Sequence, residues 1–204
     1  LAGIVVTHEH SDHIGGVGRL ARRHGLPVWL TAGTLAMAQD LDGVAVQVID
    51  SHAAFAVDEL EIQPFPVPHD AREPVQYVFG DGDRRLGVLT DTGSDTPHIE
   101  AMLAGVDALV LECNHDAAML ENGPYPTSLK RRVGGRFGHL ENGQSAALLD
   151  RLKHAKLQCV MAAHVSRKNN TAALAQRALA QVLNCADDEV RVACQTTGFD
   201  WIRI

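Results

Sequence analysis

Residues 7–16 read THEHSDHIGG and bring four side chains that commonly bind metals into six positions: His8, His10, Asp12 and His13. The apolar run just before them predicts a short buried strand. Side chains two residues apart at a strand end share a face, so His8 and His10 can bind one ion. Asp12 and His13 lie beyond the bend and can bind a second. This spacing favours a metal site over a polar loop with incidental histidines.

Further side chains of the same type follow other predicted strands. They are His69, Asp91, Glu112, His115 and His164. Because ligand sites in layered α/β proteins gather at the carboxyl ends of strands, we expect these residues to converge. The predicted ligand sets are His8, His10 and His69 for one ion, Asp12, His13 and His164 for the other, and Asp91 as a bridge. Such nitrogen and oxygen ligands suit two divalent ions, zinc first, with manganese or iron as alternatives.

The composition sets broad limits on the class of protein. The chain has 204 residues, 46% of them hydrophobic, and a net charge of −7. We predict one α/β domain over residues 1–204, with a strand-rich first half and alternating strands and helices in the second. The expected elements include a helix over 17–24 ended by a glycine, a helix over 144–155 with its leucines on one stripe, and a buried strand over 159–163. Because the histidine cluster follows so soon after Leu1, we expect an N-terminally truncated domain that lacks its first strands.

The sequence limits the cellular location and the binding partners less tightly than the class of protein. The sequence contains no apolar run long enough to span a bilayer, so we predict no membrane association. Four cysteines without CxxC pairing fit reduced thiols in the cytoplasm. The sequence leaves the oligomeric state open, including a homo-oligomer.

Several short motifs add to the histidine cluster. They are PHD at 68–70, DTG at 91–93, ECNHD at 112–116, GHLEN at 138–142 and AHVSRKNN at 163–170. With HEHSDH they make the chain resemble the metallo-β-lactamase-fold hydrolases over nearly its whole length. The NHD, GHL and HVS–NN motifs are similar to the WalJ/YycJ branch, which is related to ribonuclease Z and viewed as phosphodiesterases or exonucleases.

The resemblance implies a four-layer αββα sandwich and a hydrolase that uses a dinuclear, metal-bound hydroxide to cleave phosphodiester bonds, as in a 5′-to-3′ exonuclease. It also implies that Asp91 is the bridging carboxylate, that His164 is the last ligand, and that His139 donates a proton to the leaving group. Two cations would lower the pKa of a bridging water, and Asp12 could orient the resulting hydroxide. The chain departs from the family pattern at Glu141, where serine is expected.

Substrate contacts are expected from polar and basic residues near these motifs, with nucleic acid or a small phosphodiester as partner. The candidates are His115, Lys130, Arg131, Ser166, Asn169 and Asn170. All of these except Ser166 also have a structural alternative. Lys130 and Arg131 could lie on a basic helix face exposed to solvent, His115 could support a metal ligand, and the two asparagines could start a helix.

Three other functions compete with phosphodiester cleavage. Thioester, lactone or lactam hydrolysis could use the same metal chemistry on a carbonyl. A non-catalytic metal-binding regulatory module would need the same ligands without turnover. A single DTG triplet is poor support for an aspartic protease, which needs two matched aspartates. The Lys and Arg residues at 130–132 and 136, together with the GHL motif, favour phosphodiesters.

Overall fold

The computed structural model describes residues 1–204, which form two compact units, Leu1–Asp83 and Arg84–Ile204. Both units combine helices with sheets, as the sequence predicts. None of their helices is both long enough and apolar enough to cross a bilayer.

The first unit contains two sheets with an aliphatic and aromatic core between them. Its elements in chain order are β1 (Ile4–Val5), α1 (Ser11–Ile14), α2 (Val17–His24), β2 (Val28–Thr31), α3 (Ala32–Met37), β3 (Val46–Ile49), β4 (Phe55–Val57), β5 (Leu60–Pro66) and β6 (Val75–Gly80). Strands β1, β2 and β3 pair in parallel, whereas β4, β5 and β6 form an antiparallel meander. Ile49, Ile62, Val75 and Tyr77 are the buried centre between the two sheets.

Prolines shape the pairing of β5 in the first unit. We expected Pro64 and Pro66 to mark a sheet edge, because proline has no N–H for a ladder hydrogen bond. Strand β5 lies between two neighbours, but β4 pairs only with residues 60–62. The half of β5 that carries both prolines pairs with β6 alone. The prolines therefore occupy a local edge within an otherwise interior strand.

The second unit is built on a parallel sheet in the order β7, β8, β9, β10. Its elements are β7 (Arg85–Leu89), α4 (Pro97–Leu103), β8 (Ala108–Glu112), α5 (Ala117–Asn122), α6 (Thr127–Val133), α7 (Asn142–Leu152), β9 (Cys159–Ala163), α8 (Ala172–Leu183), a 3₁₀ turn (Asp187–Glu189) and β10 (Arg191–Val192). The buried leucines Leu148, Leu149 and Leu152 come from the apolar stripe predicted for α7. The alternation of strands with helices in this half is confirmed.

Tyr77 anchors the segment that leads into the histidine motif. Its buried hydroxyl donates a 2.7 Å hydrogen bond to the carbonyl oxygen of Val6, two residues before His8. Next to it, the backbone N–H of Val75 donates to the Thr7 carbonyl at 3.0 Å. Strand β6 therefore holds the start of the histidine loop from one side.

Replacing Tyr77 by phenylalanine is expected to lower the free energy of unfolding by about 1–2 kcal/mol, because the Val6 carbonyl loses a buried donor. Urea unfolding followed by circular dichroism measures the change. Tyr125→Phe is the matched control, since Tyr125 is only half-buried. Equal stability of Tyr77→Phe and the wild type would contradict this assignment.

Candidate active site

Three histidines converge at the surface of the first unit. His8 and His10 lie in the loop after β1, and His69 lies in the loop after β5. His8 Nε2 is 3.0 Å from His10 Nδ1, which is 3.2 Å from His69 Nε2. The His8 and His69 imidazoles are buried, whereas the His10 side chain is 30% exposed. The sequence-predicted grouping of these three residues is therefore present in the structure.

The spacing of these nitrogens fits a metal ion better than a network of hydrogen bonds. Two nitrogens that each lie about 2.0–2.1 Å from a tetrahedral zinc are about 3.3–3.4 Å apart. His10 Nδ1 lies near that distance from two other imidazole nitrogens, although it can share at most one proton with them. The three side chains can thus hold a divalent cation through Nε2, Nδ1 and Nε2 respectively.

Thr7 orients two of the histidines, a role that the sequence did not suggest. Its hydroxyl oxygen lies 3.0 Å from Nδ1 of His8 and 3.2 Å from Nδ1 of His13. A hydrogen bond at one imidazole nitrogen sets the tautomer and leaves the opposite nitrogen for a metal. The signal in the sequence is only the position of a hydroxyl residue directly before the HxHxDH motif.

Asp12 and His13 lie in the short helix α1, as expected for residues beyond the bend. Asp12 Oδ2 lies 3.7 Å from His13 Nε2, and the Asp12 side chain is 67% exposed. Asp70 is a further carboxylate that the sequence analysis did not single out, although it belongs to the PHD motif. Its Oδ1 lies 3.6 Å from His69 Nε2 and 3.9 Å from His10 Nε2.

Asp91 and His164 lie together in the second unit, because they follow the parallel strands β7 and β9, which flank β8 and end at the same edge of the sheet. Asp91 comes two residues after β7, and His164 comes directly after β9. Asp91 Oδ1 is 3.6 Å from His164 Nε2. Both residues adopt the left-handed backbone conformation, with φ values of 47° and 54°. Residues other than glycine avoid this region, and those that adopt it cluster at functional sites.

Glu112 is the buried centre of this arrangement. Its Oε1 accepts hydrogen bonds from the Asp91 N–H and from Nδ1 of His139 and His164, at 3.1, 2.9 and 2.8 Å. Its Oε2 accepts from the backbone N–H groups of Thr92 and Leu140, at 3.2 and 3.0 Å. Both oxygens are therefore committed within the protein, so Glu112 positions other groups and is not a metal ligand.

The contacts of Glu112 also set the protonation of its neighbours. Burial alone would raise the pKa of Glu112, but hydrogen bonds and charge from His139 and His164 hold it below its usual value. Burial opposes protonation of His139, yet the hydrogen bond and charge of Glu112 raise its pKa overall. Because a carboxylate only accepts, we assign the proton on each imidazole to Nδ1, which leaves Nε2 of both rings directed away from Glu112.

Three of the six predicted substrate contacts, His115, Asn169 and Asn170, are buried. His115 and Asn169 are almost completely buried, and burial is the main cause that lowers the pKa of His115. The Asn170 amide donates to Cys113 and exchanges two hydrogen bonds with Asn142. The predicted helix start at the asparagines is wrong, because the N-cap of α8 is Thr171, whose hydroxyl accepts from the Leu174 N–H.

The other predicted contacts occupy loop and helix positions. Ser166 Oγ accepts from the backbone of Asn169 at 3.2 Å and so stabilises the turn before α8. Lys130 donates to the Glu121 carbonyl, whereas Arg131 is exposed on α6. Glu141, where serine was expected, precedes α7 and its N–H donates to Gln144 Oε1 at 3.0 Å.

A family model described as the beta-lactamase superfamily domain matches residues 1–162 of the chain. The chain belongs to the metallo-β-lactamase superfamily. The predicted fold is also confirmed by a solved superfamily structure, the metallo-β-lactamase fold protein YhfI from Bacillus subtilis. That structure superposes with a TM-score of 0.74 at 17% sequence identity, covering 98% of this chain and 77% of the other.

Two curated relatives locate the chain within the superfamily. It is 39% identical to the exodeoxyribonuclease YycJ of Bacillus anthracis over 194 residues, which covers 90% of this chain and 71% of the relative. It is 31% identical to the exodeoxyribonuclease WalJ of Streptococcus pneumoniae strain D39 over 193 residues, which covers 92% and 72%. The resemblance to the WalJ/YycJ branch of the metallo-β-lactamase superfamily is therefore confirmed.

Proposed function

We propose that this protein is a metal-dependent phosphodiesterase that removes nucleotides from DNA in the 5′-to-3′ direction. The observation that carries the proposal is the triangle of imidazole nitrogens formed by His8, His10 and His69, with separations of 3.0 and 3.2 Å that suit a shared cation. The exodeoxyribonuclease names of both relatives support DNA as the substrate.

We propose that the metal ligands are the residues named from the sequence: His8, His10, Asp12, His13, His69, Asp91 and His164. Each unit supplies support of its own. The first holds the histidine triangle and the Asp12–His13 pair, and the second holds Asp91 Oδ1 3.6 Å from His164 Nε2. Imidazole and carboxylate ligands favour zinc, with manganese and iron as alternatives. Bound in a pair, such cations lower the pKa of a coordinated water and neutralise charge on a phosphodiester.

Two side chains of the protein complete the proposed chemistry. The exposed carboxylate of Asp12 orients the attacking water, since it reaches solvent from the first turn of α1. His139 protonates the departing oxygen from Nε2, while its Nδ1–H stays hydrogen-bonded to Glu112 at 2.9 Å. Glu112 stabilises the protonated ring, as a carboxylate partner does for a general acid.

The experiment that tests this function compares two substrates with the metal-loaded protein. We expect loss of mononucleotides from 5′-phosphorylated DNA, little turnover of a thioester, and no DNA cleavage after treatment with EDTA. Restoring Zn²⁺ or Mn²⁺ should restore cleavage. Brisk thioester hydrolysis without DNA cleavage would contradict the proposal and favour carbonyl chemistry. Absence of turnover on both substrates with metal bound would favour a regulatory module.

A further inference from the structure

The loop from Gly134 to Gly138 connects α6 to His139 and is held tightly against the DTG turn. A Cβ on Gly93 would lie 2.3 Å from the Gly138 nitrogen and 2.5 Å from the Gly135 oxygen, so only glycine allows this approach. The Ser94 hydroxyl also donates to the Arg136 carbonyl at 3.2 Å. The loop backbone is therefore fixed close to Asp91, which lies two residues before Gly93.

This fixed loop exposes an aromatic ring beside a cation. Phe137 is 49% exposed, although it lies only two residues before His139. The guanidinium carbon of Arg136 lies 4.9 Å from the centre of the Phe137 ring. Because Arg136 covers one face, the opposite face is the one available to a flat partner.

The surrounding segment carries charge of one sign. Residues 123–140 contain four cations and no Asp or Glu, in a chain whose net charge is −7. Arg131, Arg132 and Arg136 are all exposed. A local run of cations complements a polyanion, and an aromatic ring among cations is the arrangement with which proteins hold nucleic-acid strands through stacking and phosphate contacts.

We propose that Phe137 is a substrate-positioning residue that stacks against an unpaired nucleobase of the strand being degraded, while Arg131, Arg132 and Arg136 contact its phosphates. This inference rests on the proposed nuclease function and specifies how the strand is held. Stacking on a ring fixed two residues from His139 would set the position of the terminal nucleotide. The base identity is not read, because every base offers a flat face.

The test measures binding and cleavage of two matched 5′-phosphorylated oligonucleotides by the metal-loaded protein. One has intact bases and the other has abasic sites at its 5′-terminal nucleotides. We expect Phe137→Ala to bind and cleave the intact strand about 5- to 100-fold less well, mainly through KM, as for the loss of one stacked base. The abasic strand should be equally poor for wild type and Phe137→Ala, and Phe137→Trp should restore wild-type behaviour on the intact strand.

Trp201→Ala is the matched control, because Trp201 is fully exposed and lies in the C-terminal tail. This substitution should leave binding and cleavage of both oligonucleotides unchanged. Wild-type affinity and KM of Phe137→Ala on intact DNA would overturn the inference, as would an equal loss on the abasic strand. Fluorescence anisotropy measures DNA binding independently of cleavage, and so separates the stacking proposal from the nuclease proposal. Base-dependent binding by the wild type without cleavage would support stacking and contradict the nuclease function. DNA cleavage that Phe137→Ala leaves unchanged would support the nuclease function and contradict stacking.

Discussion

Asp91→Ala is expected to lose a bound metal ion together with all measurable hydrolysis, because the carboxylate is buried and lies 3.6 Å from His164 Nε2. His139→Ala should separate these two effects. It is expected to keep its metal content and to lose turnover by a factor of about 100 or more, the usual contribution of a positioned general acid. Elemental analysis of the purified proteins and steady-state kinetics on DNA provide the two measurements.

The backbone conformation at Asp91 requires a second variant. Its φ of 47° is less strained for aspartate and asparagine than for alanine. Asp91→Asn should therefore fold normally and still lose metal and activity, since an amide is a weaker ligand than a carboxylate. Wild-type metal content in Asp91→Asn, or equal metal loss in Asp91→Ala and His139→Ala, would contradict the roles assigned to these residues.

Glu112→Gln is expected to lower the free energy of unfolding by about 3–5 kcal/mol, the typical cost of breaking a buried charged network. The carboxylate accepts five hydrogen bonds, and an amide has one oxygen with which to accept them. At least two donors would then face an NH₂ group inside the protein. Because His139 and His164 would also lose their orientation, turnover should fall along with stability.

Urea unfolding of Glu112→Gln and of a surface control checks this expectation. Glu100 accepts a hydrogen bond from Arg151 Nε at 2.8 Å, but both side chains are exposed. Glu100→Gln should therefore cost about 0–1 kcal/mol. A Glu112→Gln protein as stable as the Glu100→Gln protein would show that the network contributes little.

The parts of the fold that depend on local pattern could be predicted from the sequence. Helix α2 spans Val17–His24 as expected, and Gly25 ends it with a φ of 63°. Strand β9 spans Cys159–Ala163, the bounds that its apolar run indicated. The grouping of His8, His10 and His69 was also predicted, because strand ends collect ligands and the HxHxDH motif identifies the first strand.

The parts that depend on contacts distant in sequence could not be predicted. Glu112 follows an apolar strand and was counted among the strand-end residues, but its five donors come from three separate segments. Neither pattern nor spacing shows which of several carboxylates will be buried beneath the others. The cap of α8 could not be predicted for a similar reason. The Asn170 side chain is hydrogen-bonded to Asn142 and Cys113, and Thr171 caps the helix.

The left-handed backbone at Asp91 and His164 places stability and activity in conflict at these two positions. Each of these residues stores on the order of 1 kcal/mol of conformational energy that glycine would release. A substitution by glycine at either position would therefore relieve backbone strain and remove a proposed metal ligand. Selection for stability in a directed-evolution experiment should remove these two side chains early, unless activity is screened in every round.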